Sequence, residues 1–206
     1  MLVSFHKKEP EDCRYFTSSY MKKITLLLSF LIAGTVLCFS QASLYVSRKG
    51  QTSFISEAPL ENIKAESKSL RGIINPETKE FAFSVKINSF EGFNSEIQRV
   101  HFLENYMEQN IYPQATFNGK LIEDIPFDVP GTYNVRAKGF LEIHGIQKER
   151  IIRGTITIKP GMAFLTTEFS VPLSDHGISI PKIVKQKIAE QIDVYVNMEF
   201  VIGSKS

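Results

Sequence analysis

The chain has 206 residues, with 24 Lys and Arg against 22 Asp and Glu, and its formal net charge is +2. This near balance excludes a polybasic nucleic-acid-binding protein, and the 12 glycines and 9 prolines exclude collagen-like and low-complexity sequence. The two cysteines, Cys13 and Cys38, lie in the N-terminal region, so the rest of the chain offers neither a thiolate nucleophile nor a disulfide framework.

The N-terminal region has the pattern of a secretory signal peptide. Lys22 and Lys23 precede an uncharged apolar run over residues 24–39, and small residues close the segment at Ala42. The run is shorter than the roughly 20 apolar residues that a membrane-spanning helix needs. We therefore predict a signal peptide at 21–42 that is cleaved after Ala42, which places the mature protein in the periplasm or outside the cell.

Two other fates of this segment stay open. An uncleaved segment would act as a membrane anchor. Cys38 offers a site for lipidation, although Leu37 is larger than the residue that normally precedes a lipidated cysteine. Residues 1–20 are polar, and we interpret them as a disordered tail or as the product of an upstream mis-start. The predicted folded domain is 43–206, which carries equal numbers of basic and acidic residues.

Alternation of apolar and polar residues dominates this domain and predicts strands with one apolar face. In three segments every second residue belongs to that face: Phe81, Phe83, Val85 and Ile87; Tyr133, Val135, Ala137, Gly139 and Leu141; Ile192, Val194, Val196, Met198, Phe200 and Ile202. Further strands fit residues 51–56, 64–73, 114–122, 151–158 and 162–171. Many strands joined by short turns predict an all-β barrel or sandwich, and closure is favoured because it leaves no unpaired edge.

Two segments have a helical pattern instead. The first is 95–110, where apolar residues recur at helical spacing: Ile97, Val100, Leu103 and Met107. We predict a helix there, packed against or across the sheet, which cannot continue past Pro113. The second is a short helix at 181–191, where Pro181 suits the first turn. Three lysines would face water on this helix: Lys182, Lys185 and Lys187.

Three passages together resemble the YceI-like family. His101-Phe102-Leu103 with 112–117 (YPQATF) is similar to its H-F and Y-P-x-x-x-F passage. Residues 139–146 (GFLEIHGI) look like its G-x-L-x-I-H-G-V hairpin, and 169–178 (FSVPLSDHGI) resemble its F-x-x-x-x-x-D-F-G-I corner. The passages have the right order and spacing. One departure is His176, which stands where the family often has an aromatic residue.

The resemblance implies both a fold and a function. The fold is an all-β protein with minor helices, a closed antiparallel eight-stranded lipocalin-like barrel with one helix packed against or across it. The function is that of a secreted or periplasmic protein that holds an isoprenoid lipid, a quinone or polyprenyl chain, in its interior. The isoprenoid would be cargo rather than a cofactor, and burial alone could hold it, because each five-carbon unit contributes roughly 3 kcal/mol.

The apolar strand faces supply the candidate lining of such a cavity. An eight-stranded barrel is just wide enough either to fill with side chains or to hold one slim ligand, so the same faces also fit a plain core. The candidate ligand contacts on strands are Phe83, Val85, Phe117, Tyr133, Leu141, Val194, Val196 and Met198. The candidate lid residues on the helix are Leu103, Tyr106 and Met107.

The histidines are the main candidates for other chemistry. His101, His144 and His176 lack the HxH, HxxxH and HExxH spacings that zinc sites use. We interpret His144, which precedes a glycine, as a turn or capping residue, and His101 as a group that hydrogen-bonds to a ligand head or to a strand end. An enzyme that uses either one on a small hydrophobic substrate remains an alternative, as does an envelope stress or interaction module.

The predicted partners follow from the same features. They are a hydrophobic isoprenoid ligand and no nucleic acid, and the protein is a monomer or a homodimer. A transient contact between the lysine-bearing segment and an anionic membrane surface is a further option.

Overall fold

The computed structural model describes residues 43–203, and within them eight antiparallel strands close into a barrel. Each strand pairs with its neighbours in sequence, and the last strand pairs with the first. The strands are β1 Leu44–Glu57, β2 Asn62–Ile74, β3 Glu80–Lys86, β4 Gln114–Leu121, β5 Gly131–Ile143, β6 Ile146–Lys159, β7 Met162–Pro172 and β8 Gln191–Gly203. The predicted closed eight-stranded barrel is confirmed. The predicted signal peptide and the preceding tail lie outside the described residues.

No helix within 43–203 is long and apolar enough to cross a bilayer.

The alternating pattern places the predicted apolar faces inside the barrel. On β3, Phe81 and Val85 are buried while Ala82 and Lys86 are exposed. Phe117 on β4 pairs with Phe83 on β3, so that aromatic rings meet across neighbouring strands. Because side chains of a strand alternate between its two faces, one parity of residues in each strand builds the core.

Buried side chains, most of them large, fill one end of the barrel. They come from the first residues of β1, β3 and β7 and from the last residues of β6 and β8, which lie at the same end: Tyr45, Phe81, Ile158, Ala163 and Phe200. The Tyr45 hydroxyl donates to the Phe127 carbonyl oxygen over 3.1 Å, which fixes the loop that precedes β5 across this end. We call these residues, together with Phe127, the plug.

A glycine on β2, Gly72, makes room for two side chains that pack beside the plug. A Cβ atom at Gly72 would lie 2.4 Å from Cδ1 of Phe83 and 2.8 Å from Cε of Met198. Real Cβ contacts are never that short, so any larger residue would displace both side chains. The absence of a side chain at Gly72 thus lets Phe83 and Met198 pack over the backbone of β2.

The first predicted helix is present but shorter than expected. Helix α1, Glu96–His101, is capped by Ser95, whose Oγ accepts from the Gln98 backbone N–H, and it runs on into one π-helical turn, Phe102–Tyr106. The helix therefore ends well before Pro113, and the proline is not what stops it. The wide turn ends it, because the Met107 N–H donates to the Phe102 carbonyl oxygen five residues back.

The second predicted helix, 181–191, is wrong. Only the 3₁₀ turn Lys182–Val184 forms there. Local bonds continue only to Ile188, whose N–H, like that of Lys187, donates to the Val184 carbonyl oxygen. Beyond it the backbone bonds to the rest of the barrel: the Ala189 N–H donates to Ser56 Oγ, and the Glu190 carbonyl oxygen accepts from the Leu173 N–H. These long-range bonds hold residues 189 and 190 against the ends of β1 and β7.

Truncation of the plug should destabilise the barrel strongly. Phe200 is fully buried, and Phe200→Ala should lower the free energy of unfolding by about 3–5 kcal/mol, as large cavities in packed cores do. Phe140→Ala is the matched control, since Phe140 is more than half exposed on β5 and should change stability by less than about 0.5 kcal/mol. Urea denaturation measures both, and equal losses would contradict this picture of the plug.

Candidate functional site

An apolar cavity of about 170 Å³ occupies the barrel between the plug and helix α1. Its wall is almost wholly apolar and combines medium-sized aliphatic residues of the strands with aromatic rings near the helix. The residues that enclose it include Phe54, Leu70, Phe83, Val85, Phe90, Phe102, Met107, Phe117, Val135, Leu141, Ile152, Ile156, Leu165, Phe169, Val171, Val194 and Val196. We call this space the barrel cavity.

Seven of the eleven predicted ligand contacts lie in its wall, and whether they touch a ligand stays a prediction. They are Phe83, Val85, Met107, Phe117, Leu141, Val194 and Val196. The structure thus brings together residues from β3, β4, β5, β8 and the segment after the helix.

The other four predicted contacts do not line the barrel cavity. Tyr133 lies near the plug end of β5 and donates to the Val129 carbonyl oxygen, and Met198 packs against Gly50 and Gly72 beside the plug. Leu103 belongs to a separate cluster with Ile87, Met107, Leu173 and Ile178 outside the barrel end. Tyr106 faces a second chamber, described below.

Sequence patterns missed several of the wall residues. Phe54 lies in a predicted strand, yet the pattern of that strand did not show that its side chain points into the barrel. Phe102 lies on the predicted helix but off its apolar stripe. The π-helical turn rotates the backbone there, so that Phe102 and Met107 both face the barrel while Leu103 turns away. The signal available for Phe54 was that it is the one phenylalanine in the predicted strand 51–56.

A second chamber of about 350 Å³ lies beneath helix α1 at the end of the barrel. Its walls come from the ends of β1 and β2, the helix, and the segment between β7 and β8. Phe54, Phe102 and Met107 border both spaces. The rings of Phe54 and Phe102 are stacked with centroids 5.4 Å apart, so this ring pair forms the partition between the barrel cavity and the second chamber.

The second chamber differs from the barrel cavity in its polar groups. Glu61, Gln98, His101, Tyr106 and Lys187 all line it. The Gln98 side-chain amide donates to the Glu61 carboxylate, which holds the helix to the loop before β2. Burial raises the pKa of the Tyr106 phenol above its ordinary value. The phenol, the Lys187 ammonium and the His101 ring therefore present hydrogen-bond donors to one space.

Backbone pairing between β6 and β7 covers only part of their length. The ladder between these strands runs from Lys159 paired with Met162 to Gly154 paired with Thr167, and no further. Beyond that point side chains bridge the gap. Thr167 Oγ1 donates to the Arg153 carbonyl oxygen over 2.6 Å.

Arg150 closes the rest of this gap. Its Nη2 donates to the Ser170 carbonyl oxygen over 2.7 Å, and its Nη1 contacts the Asp175 carboxylate over 3.3 Å. Because Ile152 and Val171 line the barrel cavity on the inner side, only one layer of side chains separates the cavity from the outside here.

Two histidines lie outside both spaces and tie the barrel end together. His144 has a positive φ of 52° in the β5–β6 turn, as a turn residue does. Its Nδ1 bonds the His176 carbonyl oxygen over 3.2 Å, and its Nε2 bonds Glu108 over 2.6 Å. Both ring nitrogens face acceptors, so His144 joins the turn to the segment after the helix and to the β7–β8 connection.

His176 is completely buried. Its Nδ1 bonds the Ile146 carbonyl oxygen over 3.0 Å and must donate, while Nε2 has no partner in the described part of the chain. Burial lowers the pKa of the His176 imidazole below its ordinary value. The neutral ring therefore replaces the aromatic residue expected at this corner and adds one hydrogen bond.

Within residues 43–203, no three His, Cys, Asp or Glu side chains are grouped so that they could hold a metal ion.

Comparison with known proteins gives one family match. A family model described as the YceI-like domain matches residues 47–200. No curated protein sequence matches the chain.

Solved structures share the fold at low sequence identity. A polyisoprenoid-binding domain of Saccharophagus degradans implicated in plant cell wall breakdown aligns with a TM-score of 0.67 at 12% identity, over 79% of this chain and 100% of that one. BcnA of Burkholderia cenocepacia aligns with a TM-score of 0.60 at 12% identity, over 73% and 95%. A Campylobacter jejuni YceI protein aligns with a TM-score of 0.52 at 17% identity, over 84% and 96%.

The buried His176 should make stability depend on pH. Its pKa is lowered in the folded state from the ordinary 6.5, so the unfolded chain binds more protons below that pH. The contribution of His176 is fully present above about pH 6.5 and is lost as the pH falls through the folded-state pKa. His176→Phe should therefore flatten the decline in unfolding free energy between about pH 7 and pH 5. Urea titrations across this range measure both slopes, and equal slopes would be evidence against the effect.

Proposed function

Because the chain belongs to the YceI-like family, we propose that it is a non-catalytic binding protein that holds an isoprenoid lipid, a quinone or polyprenyl chain, inside its barrel. The barrel cavity is the observation that carries the proposal. It is apolar and lined by residues of all eight strands and the helical segment. The same class of ligand is named for the Saccharophagus degradans domain, which has the same fold.

The size of the barrel cavity sets how much of a tail it accepts. Its volume of about 170 Å³ is close to that of an engineered apolar cavity of about 150 Å³ that stays dry and binds benzene. The space therefore takes one to two five-carbon units, each contributing roughly 3 kcal/mol before ordering costs. A longer tail has to pass the ring pair of Phe54 and Phe102 into the second chamber.

The second chamber suits the polar end of such a lipid. A quinone carbonyl, an alcohol or a phosphate accepts hydrogen bonds, and the donors of Tyr106, His101 and Lys187 face this space. The plug closes the opposite end of the barrel. We infer that the lipid lies with its tail toward the plug and its head beneath helix α1.

A binding role explains the histidines better than catalysis does. His144 and its partner Glu108 line neither space, and their contacts join loops of the barrel end. His101 shares the second chamber with Glu61 and Lys187, where a donor to a ligand head is the simpler role. We further propose a periplasmic or secreted location, on the basis of the signal-peptide pattern at 21–42.

Filling the barrel cavity should prevent loading. Val194→Phe places a ring into the cavity wall next to Phe54 and should lower the amount of co-purifying isoprenoid at least tenfold, at a cost in stability of about 1–3 kcal/mol. Val201→Phe is the control on the same strand, because Val201 is exposed. Native mass spectrometry and organic extraction of protein made in a Gram-negative host measure the load. A folded Val194→Phe variant that loads normally would overturn the assignment.

Removal of one donor should affect only ligands with a polar head. Tyr106→Phe should weaken binding of farnesol about fivefold, the equivalent of one hydrogen bond of about 1 kcal/mol. Binding of farnesene, which has the same carbon skeleton and no hydroxyl, should not change. Tyr195→Phe is the control, because Tyr195 lies on the outer face of the barrel. Fluorescence displacement measures each affinity, and equal losses for the two ligands would place the head elsewhere.

A further inference from the structure

We propose that the rim of the second chamber docks onto a bilayer surface that contains anionic lipid. Three large apolar side chains on three separate segments are exposed at this rim: Leu60 at 66%, Ile97 at 59% and Ile183 at 91%. A single exposed apolar residue is ordinary on a protein surface. Three that come from different segments to one place form a surface suited to a partner.

Hydrogen bonds hold these segments side by side. The Leu60 N–H donates to the Gln186 carbonyl oxygen over 2.9 Å, which joins the loop before β2 to the 3₁₀ turn that carries Ile183. On the other side of that loop, Glu61 accepts from Gln98 on helix α1, next to Ile97. The loop thus connects the helix and the 3₁₀ turn, and we call the three segments together the docking rim.

The charges of the docking rim favour anionic lipid. Lys182 and Lys187 are exposed, and within the described residues neither forms an ion pair, whereas Lys185 pairs with Glu190 over 2.6 Å. Of the nearby acidic groups, Glu96 pairs with Arg99, whereas Glu61 keeps its negative charge, because its partners Gln98 and Asn94 are neutral amides. Each lysine near an anionic membrane surface contributes about 1 kcal/mol, and the apolar side chains add burial in the interface.

The other end of the barrel provides an internal contrast. Val129 there is also exposed, at 48%. Its loop, residues 122–130, carries Glu123, Asp124 and Asp128 and no basic residue. Glu123 pairs with Arg136 and Asp124 with Lys79, so the charge of the loop that no ion pair in the described residues offsets is the negative one of Asp128, which an anionic surface would repel. Apolar exposure and free positive charge coincide at the docking rim and not at the plug end.

The docking rim is continuous with the second chamber. Ile97, Val184 and Lys187 belong to the rim segments and also line the chamber. Docking would therefore bring the chamber against the lipid surface. The docking surface itself stands on its own geometry, and only its use in transferring cargo rests on the proposed function.

Vesicle co-sedimentation tests the proposal. Residues 43–206 are used, because they contain the whole barrel with its core and lack the apolar run at 24–39, which would itself bind vesicles. Vesicles of phosphatidylcholine alone are compared with vesicles that contain phosphatidylglycerol as about a third of the lipid. We expect binding to the second kind that is at least tenfold stronger and that falls in high salt.

Substitutions at the docking rim complete the test. Ile97→Asp with Ile183→Asp should reduce the vesicle-bound fraction at least tenfold, and Lys182→Glu with Lys187→Glu should act similarly. Val129→Asp, the matched control at the plug end, should bind as the unaltered protein does. Binding that is unaffected by the rim substitutions would overturn the proposal. So would self-association of the protein through these same residues, which would assign the surface to a second copy.

The isoprenoid load separates this proposal from the proposed function. The rim variants Ile183→Asp and Lys182→Glu, whose side chains line neither space, should keep their load, and Val194→Phe should lose its load while still binding vesicles. A protein that never carries isoprenoid but binds anionic vesicles through the rim would remove the proposed function and leave the docking surface in place.

Discussion

The width of an eight-stranded barrel is the constraint on which the rest of the structure depends. Its interior is only as wide as the side chains that point into it, so the sizes of those side chains decide where space remains. At one end, Tyr45, Phe81 and Phe200 fill the lumen, and Gly72 lets Phe83 lie over its backbone. Toward helix α1 the strands carry Val135, Leu141, Val194 and similar residues, and a cavity begins.

Alternation along the strands made the inward faces predictable but not the level of each residue along the barrel axis. Val196 and Met198 have the same parity, yet they lie about 7 Å apart along β8 at the usual rise per residue. Val196 therefore lines the cavity, whereas Met198 packs beside the plug. Tyr133 lies on the plug side of the barrel cavity for the same reason. The level depends on the register of all eight strands, which no single strand encodes.

Helical periodicity failed where the backbone departs from ideal geometry. A spacing of three or four residues predicted that Leu103 and Met107 would share a face, and both pack in one cluster. The π-helical turn also brings Phe102 inward and lets Met107 reach the barrel cavity, which the spacing did not predict. The helix prediction for 181–191 failed for another reason. Backbone groups of this segment find partners that are distant in sequence, Ser56 on β1 and Leu173 directly after β7, and tertiary bonds of this kind override local propensity. The YceI-like passages, in contrast, predicted the fold correctly, because they include turns and corners that set the strand order.

The asymmetry of the barrel has a consequence for how an amphiphile lies within it. A polar head buried against the plug would lose its hydration without gaining partners, which costs several kcal/mol, whereas the second chamber offers donors and access to water. The tail has the opposite preference, because the barrel cavity provides apolar contacts on every side. Only one orientation satisfies both ends. The ring pair of Phe54 and Phe102 lies at the boundary between the two environments. Since it belongs to both walls, rotation of these rings would decide how far the tail of the proposed lipid reaches and therefore which chain lengths fit.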